Sequence, residues 1–217
     1  MNPTIPAERV IPAELAQVVM ELPYWFVIGG HAVRCLCPYR PSRDVDFGVG
    51  QPDDLRALLD QLQSTGKTEI LERSDDTVHL TWNGINVSIF LLDTLVPHVQ
   101  ARTLTVTGIL ATKLHAILDR GMRRDFFDLY VTLQSQRLGI AECLKAIRDV
   151  YQQDVNDGLL LRALTYFNDA EREACLPGEG PEDFAVVKNF FLERVGNLLI
   201  PPAQTLSIQN RRVDVVE

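Results

Sequence analysis

The chain has 217 residues, of which 46% are hydrophobic and 23% charged, and its formal net charge is −8. This composition is that of an ordinary globular protein, which excludes a largely disordered chain and allows one sizeable domain or two small ones. The acidic balance argues against a protein that coats nucleic acid non-specifically. No segment is apolar enough to span a membrane and the N-terminus has no secretory signal pattern, so we expect a cytoplasmic protein.

The first half of the chain alternates between helical and strand patterns. The predicted elements are, in order, a helix over 13–21, a strand over 24–28, a helix over 31–36, a strand over 45–49, a helix over 53–63 with Asp53 as its N-cap and Gly66 as its end, and strands over 68–72, 77–82 and 85–91. Asn83-Gly84 lies between the last two strands and predicts a tight hairpin. This half is predicted to end near residue 100.

Helical spacing dominates the second half. The predicted helices cover 108–118, 124–134, 140–151, 156–167 and 184–199, with a loop over 176–181. We therefore predict an α+β fold in which a small mixed sheet with flanking helices is followed by a helical C-terminal half. The predicted domains are an α/β core over 1–100, a helical domain over 101–200 that completes the site, and a tail over 201–217.

A glycine turn and two closely spaced carboxylates form the first chemical motif. Gly29-Gly30 follows an apolar strand, and Asp44 and Asp46 accompany the next strand at positions i and i+2. Side chains alternate along a strand, so the two carboxylates are expected on one face. Hard oxygen ligands beside glycine amides that can approach phosphate predict a Mg²⁺-nucleotide site. The alternative is a surface pair balanced by Arg43.

A second motif is basic. Lys113, Arg120 and Arg124 would share one face of a continuous helix, although Gly121 could break that helix. Asp128 lies four residues after Arg124, so an ordinary helix ion pair is the alternative to a functional role. The spacing of Cys35 and Cys37, in contrast, has no matching Cys or His pair for zinc, and the four cysteines are expected to be reduced thiols.

The two motifs together resemble the nucleotidyltransferase superfamily, and specifically its AbiEii/MenT-like toxin branch. The first block reads Ile28-Gly29-Gly30 and then Arg40-Pro-Ser42-Arg-Asp44-Val-Asp46-Phe47; the second reads Lys113-Leu-His-Ala116, Arg120 and Arg124-Asp125-Phe-Phe-Asp128-Leu-Tyr130. The resemblance covers roughly residues 24–134. It implies an enzyme that moves a nucleoside monophosphate from a nucleoside triphosphate to an acceptor, with Mg²⁺ as the cofactor.

The resemblance also implies roles for individual residues. The expected metal ligands are Asp44 and Asp46, and the expected catalytic set adds Lys113 and Asp128. The expected nucleotide contacts are Gly29, Gly30, His31, Arg40, Ser42, Arg43, Lys113, Arg120 and Arg124. It further implies a toxin of a bacterial toxin–antitoxin pair that acts on the 3′ end of tRNA, with a separate antitoxin protein as a partner.

The chain departs from the branch pattern at two positions. His31 stands where a Thr or Ser is usual, and it could simply be packed or solvated. Ser88 stands where many nucleotidyltransferases have a third carboxylate, and Asp93 is too far along the strand to replace it. A nucleotide-binding pseudoenzyme, a purely structural partner of another protein, and a transferase acting on a small-molecule or protein hydroxyl therefore remain open as alternatives.

Overall fold

The computed structural model describes residues 5–152, 155–180 and 182–199, and it confirms the predicted α+β class with a helical C-terminal half. The strands are β1 (Phe26–Val27), β2 (Val45–Val49), β3 (Thr68–Arg73), β4 (Thr77–Trp82), β5 (Ile85–Leu91), β6 (Val99–Gln100) and β7 (Thr103–Leu104). The helices are α1 (Ala13–Val19), α2 (Gly29–Leu36), α3 (Pro52–Thr65), α4 (Val106–Asp119), α5 (Arg123–Gln136), α6 (Ile140–Tyr151), α7 (Asp157–Leu164), α8 (Asn168–Arg172) and α9 (Asp183–Leu199). The predicted tail over 201–217 lies outside the described residues.

The strands form one mixed sheet in the order β3-β4-β5-β2-β1-β7-β6. Neighbouring strands are antiparallel except for two parallel pairs, β2 with β5 and β1 with β7. Asn83 and Gly84 have φ angles of 48° and 83°, the left-handed values that a two-residue type I′ turn requires. The predicted hairpin is therefore confirmed, and it fixes the register of β4 against β5.

The central strands have one apolar face and one polar face. Val45, Phe47 and Val49 of β2 are fully buried in a core that α1 and α3 also contribute to. Asp46 alternates with these residues, so it lies on the opposite face together with Ser88, its register partner on β5. This polar face lines the candidate site.

A second core joins the two halves of the chain. It contains Phe26 of β1 and Val33 of α2, packed with residues of the C-terminal helices such as Leu114 and Phe126. Strand β7 lies just beyond residue 100 and pairs with β1. The division into domains 1–100 and 101–200 stays a prediction, and the hydrophobic core crosses that boundary.

Some predicted helix bounds are wrong for local reasons. Helix α3 begins at Pro52 with Gln51 as its N-cap, because proline suits the first position of a helix, so the predicted Asp53 cap is wrong. The helix predicted over 156–167 ends at Leu164, and α8 follows it as a separate short helix. In the described part of the chain, no helix combines the length and apolarity needed to cross a membrane.

Candidate active site

The polar face of the sheet and the N-terminal parts of the helical half enclose an open cleft of about 830 Å³. Most of the residues predicted to bind nucleotide or metal line this cleft. They are Gly29, Gly30, Arg40, Ser42, Arg43, Asp44, Asp46, Lys113, Arg120 and Arg124. The fold thus brings the two sequence motifs to one place, although about 70 residues separate them in the chain.

The glycine turn at the start of α2 approaches the cleft so closely that side chains would not fit. Gly29 has a φ of 59°, and a Cβ there would lie 2.8 Å from Oδ2 of Asp46. A Cβ on Gly30 would lie 2.8 Å from Oγ of Ser42. Gly29 therefore keeps backbone, rather than a side chain, next to the Asp46 carboxylate, and Gly30 does the same next to Ser42.

Asp44 and Asp46 enter the cleft from the start of β2. Asp46 belongs to the strand, whereas Asp44 precedes its first residue, is exposed, and accepts a 3.0 Å hydrogen bond from Nδ2 of Asn86. Burial raises the pKa of Asp46, and the charge of Lys113 opposes that rise. Both carboxylates line the cleft, as the i, i+2 spacing predicted.

The donor set of this pair fits a hard divalent cation. Mg²⁺ in nucleotide-dependent enzymes is usually held by one or two carboxylates and completed by substrate phosphates and water. Within 5–152, 155–180 and 182–199, no cluster of three or more His, Cys, Asp or Glu side chains is suitable for a metal. Asp44 and Asp46 would therefore hold Mg²⁺ only together with oxygens from a bound nucleotide.

Lys113 reaches the cleft from α4 and is held by two acidic residues of α5. Its Nζ lies 2.6 Å from Oδ2 of Asp128 and 3.4 Å from Oδ1 of Asp125, and its side chain is only 5% exposed. These contacts fix the ammonium group at the cleft wall with little freedom.

Asp128 lies behind Lys113 and is absent from the cleft wall. Its side chain is 1% exposed, and Arg40 donates to both of its oxygens from Nη2 at 2.9 and 3.0 Å. Tyr39 donates from its hydroxyl to Oδ1, and Lys113 occupies Oδ2. Because cations and a phenol already use both oxygens, Asp128 is placed to position Lys113 and Arg40 rather than to contact a substrate.

Arg120 and Arg124 reach the cleft through a break between helices. Helix α4 ends at Asp119, and Gly121 has a φ of 55°, so these residues and Lys113 do not share a continuous helix face. Arg120 donates from Nε to Asp125 at 2.9 Å. Burial raises the pKa of Asp125, but the hydrogen bond from Arg120 and the charge of Lys113 outweigh it, so the pKa is lowered.

His31 is the predicted nucleotide contact that does not reach the cleft wall. The side chain is 1% exposed, and neither ring nitrogen has a hydrogen-bond partner among the described residues. Burial lowers the pKa of His31 to about 4, with smaller contributions from the charges of Arg34 and Arg40. A neutral packed imidazole therefore occupies this position.

Several cleft residues were missed at the sequence level. The sequence pattern marks Ser88 only as an absent carboxylate, whereas in the structure Oγ of Ser88 lies 2.9 Å from Nδ1 of His79. The contact between His79 and Ser88 could have been predicted from the Asn83-Gly84 hairpin, because the register that pairs Trp82 with Ile85 also pairs His79 with Ser88. The C-terminal loop residues Cys175, Leu176 and Pro177 also line the cleft, and no local pattern indicates that.

Comparison with known families agrees with this geometry. Residues 86–195, just over half of the chain, match the family described as "Nucleotidyl transferase AbiEii toxin, Type IV TA system". The chain belongs to the AbiEii family. The predicted resemblance is confirmed, and this AbiEii-family protein is a nucleotidyltransferase.

Individual relatives are more distant. The AbiEii-family chain is 26% identical over 159 residues to the uncharacterized protein aq_aa25 of Aquifex aeolicus (strain VF5), covering 69% of this chain and 76% of that protein. A crystal structure of a proposed nucleotidyltransferase from H. pylori is 17% identical with a TM-score of 0.51, covering 88% of this chain and 96% of that one. The solution structure of the antibiotic-resistance factor ANT(2'')-Ia is 11% identical with a TM-score of 0.48, over 64% and 89% of the two chains.

Proposed function

We propose that this AbiEii-family enzyme transfers a nucleoside monophosphate, with Mg²⁺, from a nucleoside triphosphate to the 3′ end of tRNA. It would do so as the toxin of a bacterial toxin–antitoxin pair, with a separate protein as antitoxin. The observation that carries the proposal is the convergence of Asp44, Asp46, Gly29-Gly30 and Lys113 on one open cleft.

Each group has a role that follows from its chemistry. Gly29 and Gly30 would present backbone amides to the triphosphate at the start of α2, where the helix dipole favours an anion. Lys113 would meet the leaving pyrophosphate as a fixed point charge, and Arg124 would add a second cation. Nucleotidyl transfer is mostly a problem of positioning and of charge neutralisation, and these groups supply both.

Asp44 and Asp46 would hold the Mg²⁺ ion. When bound, the ion would neutralise negative charge on the phosphates of the nucleotide. Because burial raises the pKa of Asp46, ion binding should weaken as the solution is acidified. Ser42, whose Oγ lies close to Gly30, borders the same phosphate position.

The shape and the charge of the cleft support the 3′ end of tRNA as the acceptor. It is open to solvent, and Arg43, Arg120 and Arg124 border it, so a polyanion such as an RNA end can approach. The overall charge of −8 makes non-specific binding of nucleic acid over the rest of the surface unfavourable. A small-molecule or protein hydroxyl is the alternative acceptor.

The test is incorporation of each labelled nucleoside triphosphate into total tRNA in the presence of Mg²⁺. We expect labelled tRNA with the wild type and none with Asp44→Asn/Asp46→Asn. Asp53→Asn is the control, because Asp53 is an exposed aspartate of α3 away from the cleft. Nucleotide binding without label in tRNA, in small molecules or in protein would instead support the pseudoenzyme alternative.

A further inference from the structure

A row of polar side chains crosses the open face of the sheet on four adjacent strands. Asp46 of β2 pairs in register with Ser88 of β5, Ser88 with His79 of β4, and His79 with Glu72 of β3. All four line the cleft. Only Asp46 has a role in the function proposed above, so the other three are unassigned.

His79 is held in one orientation by its neighbours. Its Nδ1 lies 2.9 Å from Oγ of Ser88, and its ring meets the Phe90 ring edge-on with centroids 5.6 Å apart. On the other side, Ser88 is the register partner of Asp46 on the neighbouring strand. Among the described residues, Nδ1 is the ring nitrogen of His79 that has a hydrogen-bond partner.

These contacts select a tautomer. If the Ser88 hydroxyl donates to the carboxylate of its register partner Asp46, its oxygen lone pairs face His79, and Nδ1 carries the hydrogen of the His79–Ser88 contact. In the neutral ring, Nε2 is then the unprotonated nitrogen. Because Nδ1 is engaged with Ser88, Nε2 is the nitrogen available to the cleft.

The reaction needs a proton acceptor on this side of Asp46. The attacking oxygen and the leaving pyrophosphate lie roughly in line on opposite sides of the phosphorus. Strand β1, which leads into Gly29-Gly30, flanks β2 on one side, whereas β5 and β4, which carry Ser88 and His79, lie on its other side. Asp128 cannot serve, because Tyr39, Arg40 and Lys113 already occupy its oxygens.

We propose that His79 is the general base of this enzyme, taking the proton of the acceptor hydroxyl on Nε2, and that Ser88 positions it by linking it to Asp46. The proposal rests on the proposed nucleotidyl transfer. The acceptor oxygen forms a bond to the α-phosphorus, and the bond between that phosphorus and the bridging oxygen of the β-phosphate breaks. Pyrophosphate leaves with the bonding electrons, and the hydroxyl proton passes to Nε2.

The first test does not depend on activity. ¹⁵N NMR of histidine-labelled protein, with His79→Asn used to assign the signals of that ring among the four histidines, reports which nitrogen carries the hydrogen. We expect the Nδ1–H form at neutral pH, and we expect Ser88→Ala to lose that preference. If Nε2 of His79 carries a hydrogen, either with Nδ1 unprotonated or with both nitrogens protonated, the proposal is wrong, and this result does not depend on whether an acceptor has been found.

The second test is the single-turnover rate of nucleotide transfer to total tRNA. His79→Asn keeps a donor near Ser88 but has no basic nitrogen, so the rate should fall by about 100-fold or more while nucleotide affinity changes less than about twofold. His115→Asn is the matched control, because His115 is an exposed histidine of α4 outside the cleft wall. Equal rates in the wild type and His79→Asn would refute the base assignment, whereas no transfer by the wild type would instead count against the proposed function.

The pH profile provides an additional readout. The rate of the wild type should rise with pH through an ionisation that His79→Asn lacks. The other charged side chains that line the cleft are those of Glu72, Asp44, Asp46, Arg40, Arg43, Lys113, Arg120 and Arg124. A profile that is unchanged in His79→Asn would assign the ionisation to one of these groups and would contradict the proposal.

Discussion

Asp128 organises the cationic wall of the cleft without being part of it. Arg40 comes from the loop before β2 and Lys113 from α4, and the Asp128 carboxylate receives both, together with the Tyr39 hydroxyl. Burial and the negative charge of Asp128 raise the pKa of Tyr39, so the phenol stays protonated and can donate. One buried carboxylate of α5 therefore fixes three groups from two other parts of the chain.

Asp128→Asn should lower both the stability of the protein and its rate of nucleotide transfer. The substitution leaves Lys113 and Arg40, whose side chains are 5% and 10% exposed, short of a counter-ion, and breaking such a buried pair costs about 3–5 kcal/mol. Urea unfolding measures the change, with Asp119→Asn at the exposed end of α4 as the control. Full stability combined with abolished transfer would instead give Asp128 a direct chemical role.

His31 links stability to pH. Its pKa is lowered to about 4 in the folded protein, so between pH 6.5 and 4 the unfolded chain binds a proton that the folded protein does not. Stability should therefore fall as the pH falls through this window.

The expected contribution of His31 is a loss of about 2 kcal/mol between pH 7 and pH 5. Urea unfolding at the two pH values measures it, and His31→Leu should show a correspondingly smaller loss. His115→Leu, at an exposed position, should behave as the wild type does. If His31→Leu and the wild type lose the same stability, the buried ring does not remain neutral.

Gly29 is a position where two effects of a methyl group can be separated. Gly29→Ala adds the strain of a left-handed backbone and also a clash with Asp46 Oδ2 at 2.8 Å. Gly84→Ala adds the same kind of strain at a φ of 83°, with no atom within 4 Å of the new Cβ.

Both glycine variants should lose about 1–2 kcal/mol of unfolding free energy. Only Gly29→Ala should weaken Mg²⁺-dependent nucleotide binding, by about tenfold or more, because only that methyl group displaces Asp46. Calorimetric titration with a non-hydrolysable nucleotide and Mg²⁺ measures this. Equal affinities in the two variants would mean that Asp46 is not needed at its present position.

At the scale of elements, the loop over 173–180 is joined to the cleft by one buried arginine. Arg123 at the start of α5 donates from Nε to Glu179 at 3.0 Å, its backbone N–H donates to Glu173 at 2.8 Å, and its guanidinium lies 4.1 Å from the Phe184 ring centroid. Burial raises the pKa of Glu179, but the hydrogen bond and the charge of Arg123 outweigh it, so the pKa is lowered. The loop tip is thereby held against the cleft.

Glu179→Gln should release this loop. Hydrogen exchange in 173–180 should accelerate, because the backbone N–H of Leu176 also donates to the Glu179 carboxylate at 2.7 Å. Mass spectrometry of exchange measures the effect, with Glu182→Gln, an exposed neighbour, as the control. Unchanged exchange in the Glu179 variant would show that other contacts hold the loop.

Elements with clear periodicity were predictable from the sequence, and elements held by distant contacts were not. The 140–151 helix and the β4–β5 hairpin were predicted with their observed bounds, because apolar spacing and Asn-Gly chemistry are local signals. Strands β6 and β7 have two residues each, too few for an alternating pattern.

The same distinction applies to the candidate site. Asp44, Asp46 and Lys113 could be predicted because each belongs to a short motif. The burial of Asp128 could not, because it depends on Arg40, which is 88 positions away. The packed state of His31 was an open alternative that only the tertiary structure decides.

At the scale of the whole molecule, the shared core predicts a single cooperative unfolding transition. Both tryptophans, Trp25 and Trp82, report on the first half, whereas helical circular dichroism reports mainly on the second. Since β1 pairs with β7 and α2 packs on α4 and α5, the two signals should change at the same urea concentration. Separate midpoints would show that residues 1–100 and 101–200 are independent domains.

The division of the site between the two halves also has a consequence for how the protein is synthesised. Asp44 and Asp46 leave the ribosome first, and Lys113 follows Asp46 by 113 − 46 = 67 residues, which takes about 3–13 s at usual elongation rates. During that interval the nascent chain has Asp44 and Asp46 but lacks Lys113, Arg120 and Arg124. Incomplete translation products of this toxin-family gene should therefore be inert, and cells should become exposed to a working enzyme only when the second half has been made and folded.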